Sequence, residues 1–194
     1  MNFKPKSLVL FILLAVLFAL PSQAQTCIKF EAPAFPIPTV YGTPAAQVSG
    51  DLAFTFNLID AYIWNFNTFG PGIAFNRAYI DVAPVAFSPG QSLRFNNISM
   101  LFDLRNLAFA AHRVTFAYLD LGGYENLEVN GSLHLGELTA APAMLGGTSV
   151  SVSSTPLPPP RSGKFGTVTI VGNVIKTVRV GGQELWIDSF CVSQ

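Results

Sequence analysis

The sequence predicts an all-β protein, a jelly-roll-like sandwich of two sheets in which the first and last strands are neighbours. Three observations predict this fold. Apolar and polar residues alternate along many short segments, Gly and Asn residues separate these segments, and a lone pair of cysteines flanks the whole pattern. A closed barrel is the alternative arrangement of the same strands. Helical spacing of apolar residues with caps is not sustained over three turns anywhere in the sequence.

The N-terminal segment has the three parts of a secretory signal peptide. The basic Lys4 and Lys6 precede the apolar run 8–20, which is followed by a proline and the small-residue motif Ser22-Gln23-Ala24. An uncleaved membrane anchor is the alternative, but this run of about 13 residues is shorter than the roughly 20 that span a bilayer. We therefore expect cleavage after Ala24, which leaves residues 25–194 as one β-sandwich domain in the periplasm or outside the cell.

Charge argues against two classes of partner. The sequence has 11 basic and 11 acidic side chains, so loss of Lys4 and Lys6 leaves 9 against 11, a net charge near −2. The sequence contains no basic patch, and we therefore expect neither nucleic acid nor an anionic membrane surface as a partner. A second apolar segment does not follow the signal peptide, so the exported chain is expected to be soluble and without a membrane span.

The only two cysteines, Cys27 and Cys191, stand near the two ends of the predicted domain. In an oxidising compartment an isolated even pair is most simply a disulfide, and neither cysteine belongs to a C-x-x-C motif. A disulfide requires Cα atoms within about 7 Å of each other. The pair therefore predicts that the first and last strands lie side by side.

Period-two alternation is clearest in the second half of the chain. The segments 114–118 and 167–170 are rich in Val, Phe, Thr and Ile, and in the segment 185–190 Leu and Ile are expected to face away from Trp186 and Phe190. The segment Val171-Gly172-Asn173-Val174 predicts a tight hairpin between two strands. The proline-rich segment 153–162 is interpreted as a stiff, exposed loop.

Three aromatic residues alternate along an apolar stretch in the first half of the chain. These residues are Tyr62, Trp64 and Phe66, and the residue content around them favours a strand. On a strand they share one face, where an aromatic strip can stack on the apolar faces of sugar rings. An ordinary core face has the same spacing, and the sequence contains 17 Phe, so the strip is a candidate ligand site with a structural alternative.

Three segments form a further pattern. They are the first-strand motif Cys27-Ile28-Lys29-Phe30-Glu31, the central motif Asp120-Leu121-Gly122-Gly123-Tyr124-Glu125-Asn126-Leu127-Glu128-Val129-Asn130-Gly131, and the last-strand motif Gly181-Gly182-Gln183-Glu184-Leu185-Trp186-Ile187-Asp188-Ser189-Phe190-Cys191. Together they resemble a group of secreted bacterial β-sandwich proteins without an assigned activity. More distantly, they resemble jelly-roll carbohydrate-binding modules, which begin with a Phe-Glu strand and end with an Ile-Asp strand. This resemblance implies a non-catalytic module that binds a polysaccharide or surface glycan.

The same resemblance implies a structural calcium ion where the terminal strands meet. In such modules a Glu of the first strand and an Asp of the last hold the ion, and Glu31 and Asp188 stand at the matching positions. Backbone carbonyls would complete the six to eight oxygens that calcium takes. Glu31 shares the strand parity of Cys27, whereas Asp188 has the opposite parity to Cys191, so a bulge or a strand end is needed to bring the carboxylates together. Two solvated carboxylates are the alternative.

Catalytic motifs are missing from the sequence. His112 and His134 each stand alone, without a G-x-S-x-G or H-E-x-x-H motif. Glu125 and Glu128 are conceivable as the carboxylate pair of a glycosidase, although a solvated hairpin is the alternative beside their Gly-Gly turn. We therefore predict a non-catalytic binding module. A structural or adhesion protein that acts through protein contacts is the first alternative, and a glycan-active enzyme is the second.

Overall fold

The computed structural model describes residues 24–42, 49–66 and 76–194, and the predicted signal segment lies outside these residues except for Ala24. The described residues form fifteen β-strands and one 3-10 turn, Leu138–Ala140. In chain order the strands are β1 (Gln25–Ile28), β2 (Val40–Tyr41), β3 (Leu52–Phe56), β4 (Ile59–Asn65), β5 (Arg77–Asp81), β6 (Ser92–Asn96), β7 (Ile98–Asp103), β8 (Arg113–Asp120), β9 (Glu125–Val129), β10 (Ser132–Leu135), β11 (Met144–Leu145), β12 (Thr148–Pro156), β13 (Lys164–Val171), β14 (Thr177–Gly182) and β15 (Leu185–Ser193).

The strands form two antiparallel sheets. The nine-stranded sheet has the order β11-β12-β13-β8-β15-β6-β5-β2, with β1 paired to the C-terminal half of β15. The six-stranded sheet has the order β10-β9-β14-β7-β4-β3. The predicted all-β sandwich is therefore confirmed. In the part of the chain that the structure describes, no helix has the length and apolar character needed to cross a membrane.

The core lies between the two sheets because each strand turns its alternate apolar residues inward. On β4 the inward residues are Ile59, Ala61 and Ile63, all fully buried. Aromatic stacking joins the two sheets, since the ring of Phe102 on β7 lies 4.2 Å from that of Phe190 on β15. Burial of each such side chain contributes about 1.5–3 kcal/mol to folding.

The termini are held together as the cysteine pair predicted. Strand β1 pairs with β15 so that Cys27 lies opposite Cys191, with 4.0 Å between their Cα atoms, and the two form a disulfide. The pairing extends to the chain end, where the backbone N–H of Gln194 donates to the carbonyl of Ala24 at 3.0 Å. The prediction of adjacent first and last strands is therefore confirmed.

The predicted hairpin at residues 171–174 is wrong, because β13 and β14 belong to different sheets. A two-residue hairpin of type I′ or II′ needs a positive φ at its first central residue, and Gly172 does not have it. Gly172 is required for another reason, since a Cβ there would lie 2.7 Å from the side chain of Thr148. The predicted loop at 153–162 is also partly strand, because β12 continues through Pro156.

Two-residue hairpins occur at two other places. Asn130 and Gly131 connect β9 to β10 with φ values of 49° and 85°, the conformation that an Asn-Gly pair favours. Asn57 and Leu58 connect β3 to β4 with φ values of 50° and 65°. A leucine with positive φ is uncommon, so Asn57 is the one residue of this pair that favours a turn.

Candidate functional site

The outer face of the six-stranded sheet holds two of the three aromatic residues predicted to form a strip. Because Ile59, Ala61 and Ile63 face the core, the alternate residues Tyr62 and Trp64 face away from it and are half-buried. Phe66 follows the end of β4 and is buried. The structure therefore places Tyr62 and Trp64 together on an outer surface and Phe66 in a packed position.

An ion pair lies beside Trp64 on the same face. The guanidinium of Arg179 on β14 is 5.6 Å from the centre of the Trp64 ring, within the range of a cation–π contact. Arg179 also forms a salt bridge with the carboxylate of Glu128, its cross-strand partner on β9. Burial lowers the pKa of Arg179, and the charge of Glu128 opposes this effect. The pair fixes a buried positive charge next to an aromatic ring.

Two polar atoms on this outer face lack hydrogen-bond partners. Ser99 on β7 lies opposite Trp64, and Asn126 on β9 donates from Nδ2 to its hydroxyl at 3.4 Å. The Asn126 Oδ1 and Arg179 Nε atoms are buried and make no hydrogen bond within the described structure. Leaving a buried donor or acceptor unpaired is costly, and such groups in native proteins usually have a functional or solvent explanation.

A polar network borders Tyr62 on the side away from Trp64. Arg105 donates from Nε to Asp103 at 2.8 Å, and this hydrogen bond lowers the pKa of Asp103 despite its burial. Asp60, two residues before Tyr62, accepts hydrogen bonds from Thr55 at 2.6 Å and from Asn106 at 3.0 Å. The aromatic pair therefore has charged and amide groups along its border.

The predicted calcium ligands lie against one loop, residues 82–91 between β5 and β6. Glu31 accepts a hydrogen bond from the backbone N–H of Gln91 at 3.0 Å, and Asp188 accepts one from the hydroxyl of Ser88. The required bulge is present, because the register of β15 shifts between Asp188 and Cys191. Burial raises the pKa of Asp188, and the charge of Glu31 adds to this increase.

Calcium at Glu31 and Asp188 stays a prediction on this geometry. The buried Asp188 Oδ1 has no hydrogen-bond partner among the described residues, which leaves one oxygen for an ion. In the described ranges, one group of three side chains could hold a metal ion together: Asp120, Glu125 and Glu137. It includes neither Glu31 nor Asp188. Backbone carbonyls and water would therefore have to supply most of the calcium ligands.

Calcium bound at this position should raise the thermal stability of the protein, and Asp188→Asn should remove the part of the increase that this position supplies. A ligand that binds only the folded state stabilises it by about 2.7 kcal/mol at a hundredfold excess over its dissociation constant. The measurement is the melting temperature in millimolar calcium and in chelator. Asp51→Asn, which also removes one carboxylate, is the control and should keep the calcium response. Equal responses of the protein and of Asp188→Asn would contradict the site.

The residues considered for catalysis do not meet in a common site. Glu125 and Glu128 point to opposite faces of β9, because Glu125 has the inward parity of Leu127 whereas Glu128 pairs with Arg179 outside. His112 and His134 each contact a backbone carbonyl, those of Gly172 at 3.2 Å and Glu137 at 3.0 Å. The geometry therefore favours the outer aromatic face over these groups as the candidate site.

Comparison with known proteins gives no guide to function. No protein-family model matches the chain, nor does any curated protein or solved structure. The assignment of a function therefore depends on the chemistry of the outer face itself.

Proposed function

We propose that the protein is a non-catalytic module that binds a glycan on the outer face of its six-stranded sheet. The observation that carries this proposal is the position of Tyr62 and Trp64 on the same outer face as an unpaired buried donor and acceptor, Arg179 Nε and Asn126 Oδ1. Binding would place the ligand outside the cytoplasm, at the cell surface or in the matrix, if the chain is exported as its N-terminal sequence predicts.

Sugar chemistry matches both halves of this arrangement. A pyranose ring presents an apolar C–H face that packs on an aromatic ring, and its hydroxyl groups each donate and accept hydrogen bonds. Tyr62 and Trp64 supply the aromatic surface. Arg179 Nε and Asn126 Oδ1 are buried, so they would serve as donor and acceptor for a sugar hydroxyl once neighbouring side chains move aside. The polar network at Asp60 and Arg105 extends the face for a further sugar unit.

Trp64→Ala should weaken glycan binding by about tenfold or more. Losing an aromatic stack and the area that it buries costs roughly 1.4 kcal/mol or more, which corresponds to tenfold in affinity. A glycan array first identifies the sugar class, and calorimetry then compares the protein with Trp64→Ala and Trp64→Phe. The phenylalanine variant should keep most of the affinity because it retains an aromatic face.

Tyr79→Ala is the matched control, because Tyr79 is an aromatic residue on the outer face of the other sheet, where it contacts Arg94. This variant should bind glycan like the unaltered protein. Equal loss of affinity at Tyr79 and Trp64 would mean that another face binds the sugar. Failure to bind any glycan, together with self-association that increases with concentration, would instead favour a structural or adhesion protein.

One feature supports that second candidate. Strand β11 pairs only with the start of β12, at Thr148 and Ser149, so in the described structure residues 151–156 have no partner strand on that side. An open edge of this kind can pair with a strand of another protein. Its side chains are mostly Ser and Thr and it includes Pro156, which makes the edge a weaker candidate than the aromatic face.

A further inference from the structure

A second acidic cluster lies where the β8–β9 connection meets the segment after β10. Asp120 ends β8, Glu125 begins β9 and Glu137 follows β10, and one carboxylate oxygen of each lies within 4.8 Å of the others. Asp120 is 2% exposed and Glu125 is 1% exposed, whereas the side chain of Glu137 is 48% exposed. Two carboxylates of the cluster are therefore buried, and the third is open to solvent.

Lys164 is the cation that contacts these carboxylates in the described part of the chain. The ammonium group of Lys164, at the start of β13, lies 3.3 Å from Asp120 Oδ2 and contacts the carboxylate of Glu137. The backbone N–H of Gly122 donates to Asp120 Oδ1 at 2.7 Å. The group therefore holds three carboxyl groups against one ammonium group. A cation that enters the cluster would offset this excess of acidic groups.

Glu125 is the carboxylate whose charge is least balanced. Its Oε2 atom is buried and has no hydrogen-bond partner in the described residues, and the contacts of Lys164 go to Asp120 and Glu137. Burial first and the charge of Asp120 second raise the pKa of Glu125 to about 7. Burying a carboxylate is unfavourable unless a partner compensates for the lost water. A cation placed in the cluster would supply the partner that the buried Glu125 Oε2 atom lacks.

We propose that Asp120, Glu125 and Glu137 bind a hard divalent cation, calcium, in competition with Lys164. The donors are all carboxylate oxygens, which hard cations prefer, and calcium accepts irregular sets of six to eight oxygens more readily than magnesium. Lys164 has a long flexible stem that lets its ammonium group move away as the ion enters. The ion would tie the β8–β9 connection to the segment after β10, which adds a crosslink between distant parts of the chain.

This site is separate from Glu31 and Asp188. Asp120 has the inward parity of Phe116 and Tyr118 on β8, whereas Asp188 faces outward on β15 toward Ser88. The proposal is also independent of glycan binding, because Trp64 lies on the outer face of the six-stranded sheet. The two candidate calcium positions can therefore be measured one at a time.

The test titrates calcium chloride into the protein that carries Glu31→Gln and Asp188→Asn, with calorimetry as the readout. We expect one site with a dissociation constant of about 10⁻⁴–10⁻³ M, the range of extracellular calcium modules. Adding Glu137→Gln should weaken calcium binding about tenfold, because it removes an exposed charged ligand. Adding Lys164→Met should tighten it about tenfold, because it removes the competing cation. Magnesium should bind more weakly than calcium in each case.

Glu184→Gln is the matched control, since it removes an exposed carboxylate outside the cluster and should leave calcium affinity within about twofold. Tighter binding by the Lys164→Met variant is the decisive result, because damage to the fold would weaken binding instead. The proposal is overturned if no calcium binds up to about 10 mM, an upper bound ten times the expected constant. It is equally overturned if Glu137→Gln and Lys164→Met both leave the affinity unchanged.

Discussion

Replacing Cys27 and Cys191 together by alanine should lower the melting temperature by about 10–20 °C while leaving the sandwich folded. The disulfide joins residues 164 positions apart, so it restricts almost the whole unfolded chain. In the chain-entropy model a loop of this length stabilises the folded state by about 5 kcal/mol. For a domain of this size, each kcal/mol shifts the midpoint by roughly 2–4 °C. The large shared core, which includes the Phe102–Phe190 stack, should still support the fold.

The control for this prediction removes side chains from the same two strands without removing the crosslink. Gln25 lies opposite Ser193, two residues from each cysteine, and the double variant Gln25→Ala, Ser193→Ala should melt within about 2 °C of the unaltered protein. Thermal unfolding followed by circular dichroism, with and without reductant, measures all three proteins. If the double cysteine variant also melts within about 2 °C of the unaltered protein, the disulfide is not a major stabilising element.

Alternation of apolar residues predicted the core faces well wherever strands are regular. Val114, Phe116 and Tyr118 share the buried face of β8 as their spacing predicted. The last strand followed the prediction only in part. Ser189 adopts a positive φ and the register of β15 shifts there, so Phe190 joins Leu185 on the core face. A bulge reverses strand parity, and a serine does not mark it in the sequence.

Turn prediction failed where tertiary contacts, and not local preference, determine the backbone. Gly172 and Asn173 have hairpin composition, yet Gly172 is used for close approach to Thr148 as the chain leaves one sheet for the other. Conversely, the β3–β4 hairpin turns at Leu58, a residue that disfavours positive φ. The pairing of β3 with β4 must compensate for the unfavourable backbone conformation of Leu58. A motif of two or three residues contains no information about that pairing.

The candidate site was predictable in its aromatic part and not in its polar part. The alternating spacing predicted that Tyr62 and Trp64 share one face of a strand. The sequence could not decide whether that face is turned toward the core or toward the outer surface. Arg179 lies more than a hundred residues from Trp64 in the chain, so their contact depends on the order of strands in the sheet. The contact among Asp120, Glu125 and Glu137 also depends on the arrangement of the strands, because these residues belong to three separate segments.

The Arg179–Glu128 pair should show how strongly the aromatic face depends on buried charge. The side chains are 5% and 15% exposed, so each ion has given up most of its hydration. Removing one partner of a buried pair leaves the other charge uncompensated, which typically costs 3–5 kcal/mol. Glu128→Gln should therefore lower the free energy of unfolding by about that amount, measured by urea denaturation. It leaves the shape of residue 128 unchanged, so the loss reports charge and not packing.

Replacing both partners should be less harmful than replacing one. The double variant Glu128→Gln, Arg179→Met removes both charges and keeps apolar volume beside Trp64, so it should recover most of the stability that Glu128→Gln loses. Asp60→Asn, a charge-removing change on the same face near Tyr62, is the control and should cost no more than about 1 kcal/mol. A double variant less stable than Glu128→Gln alone would mean that Arg179 stabilises the face through its contact with Trp64 and not through Glu128. In that case the guanidinium would be the group that orients the ring, and glycan affinity should fall with Arg179→Met even when Glu128 is kept.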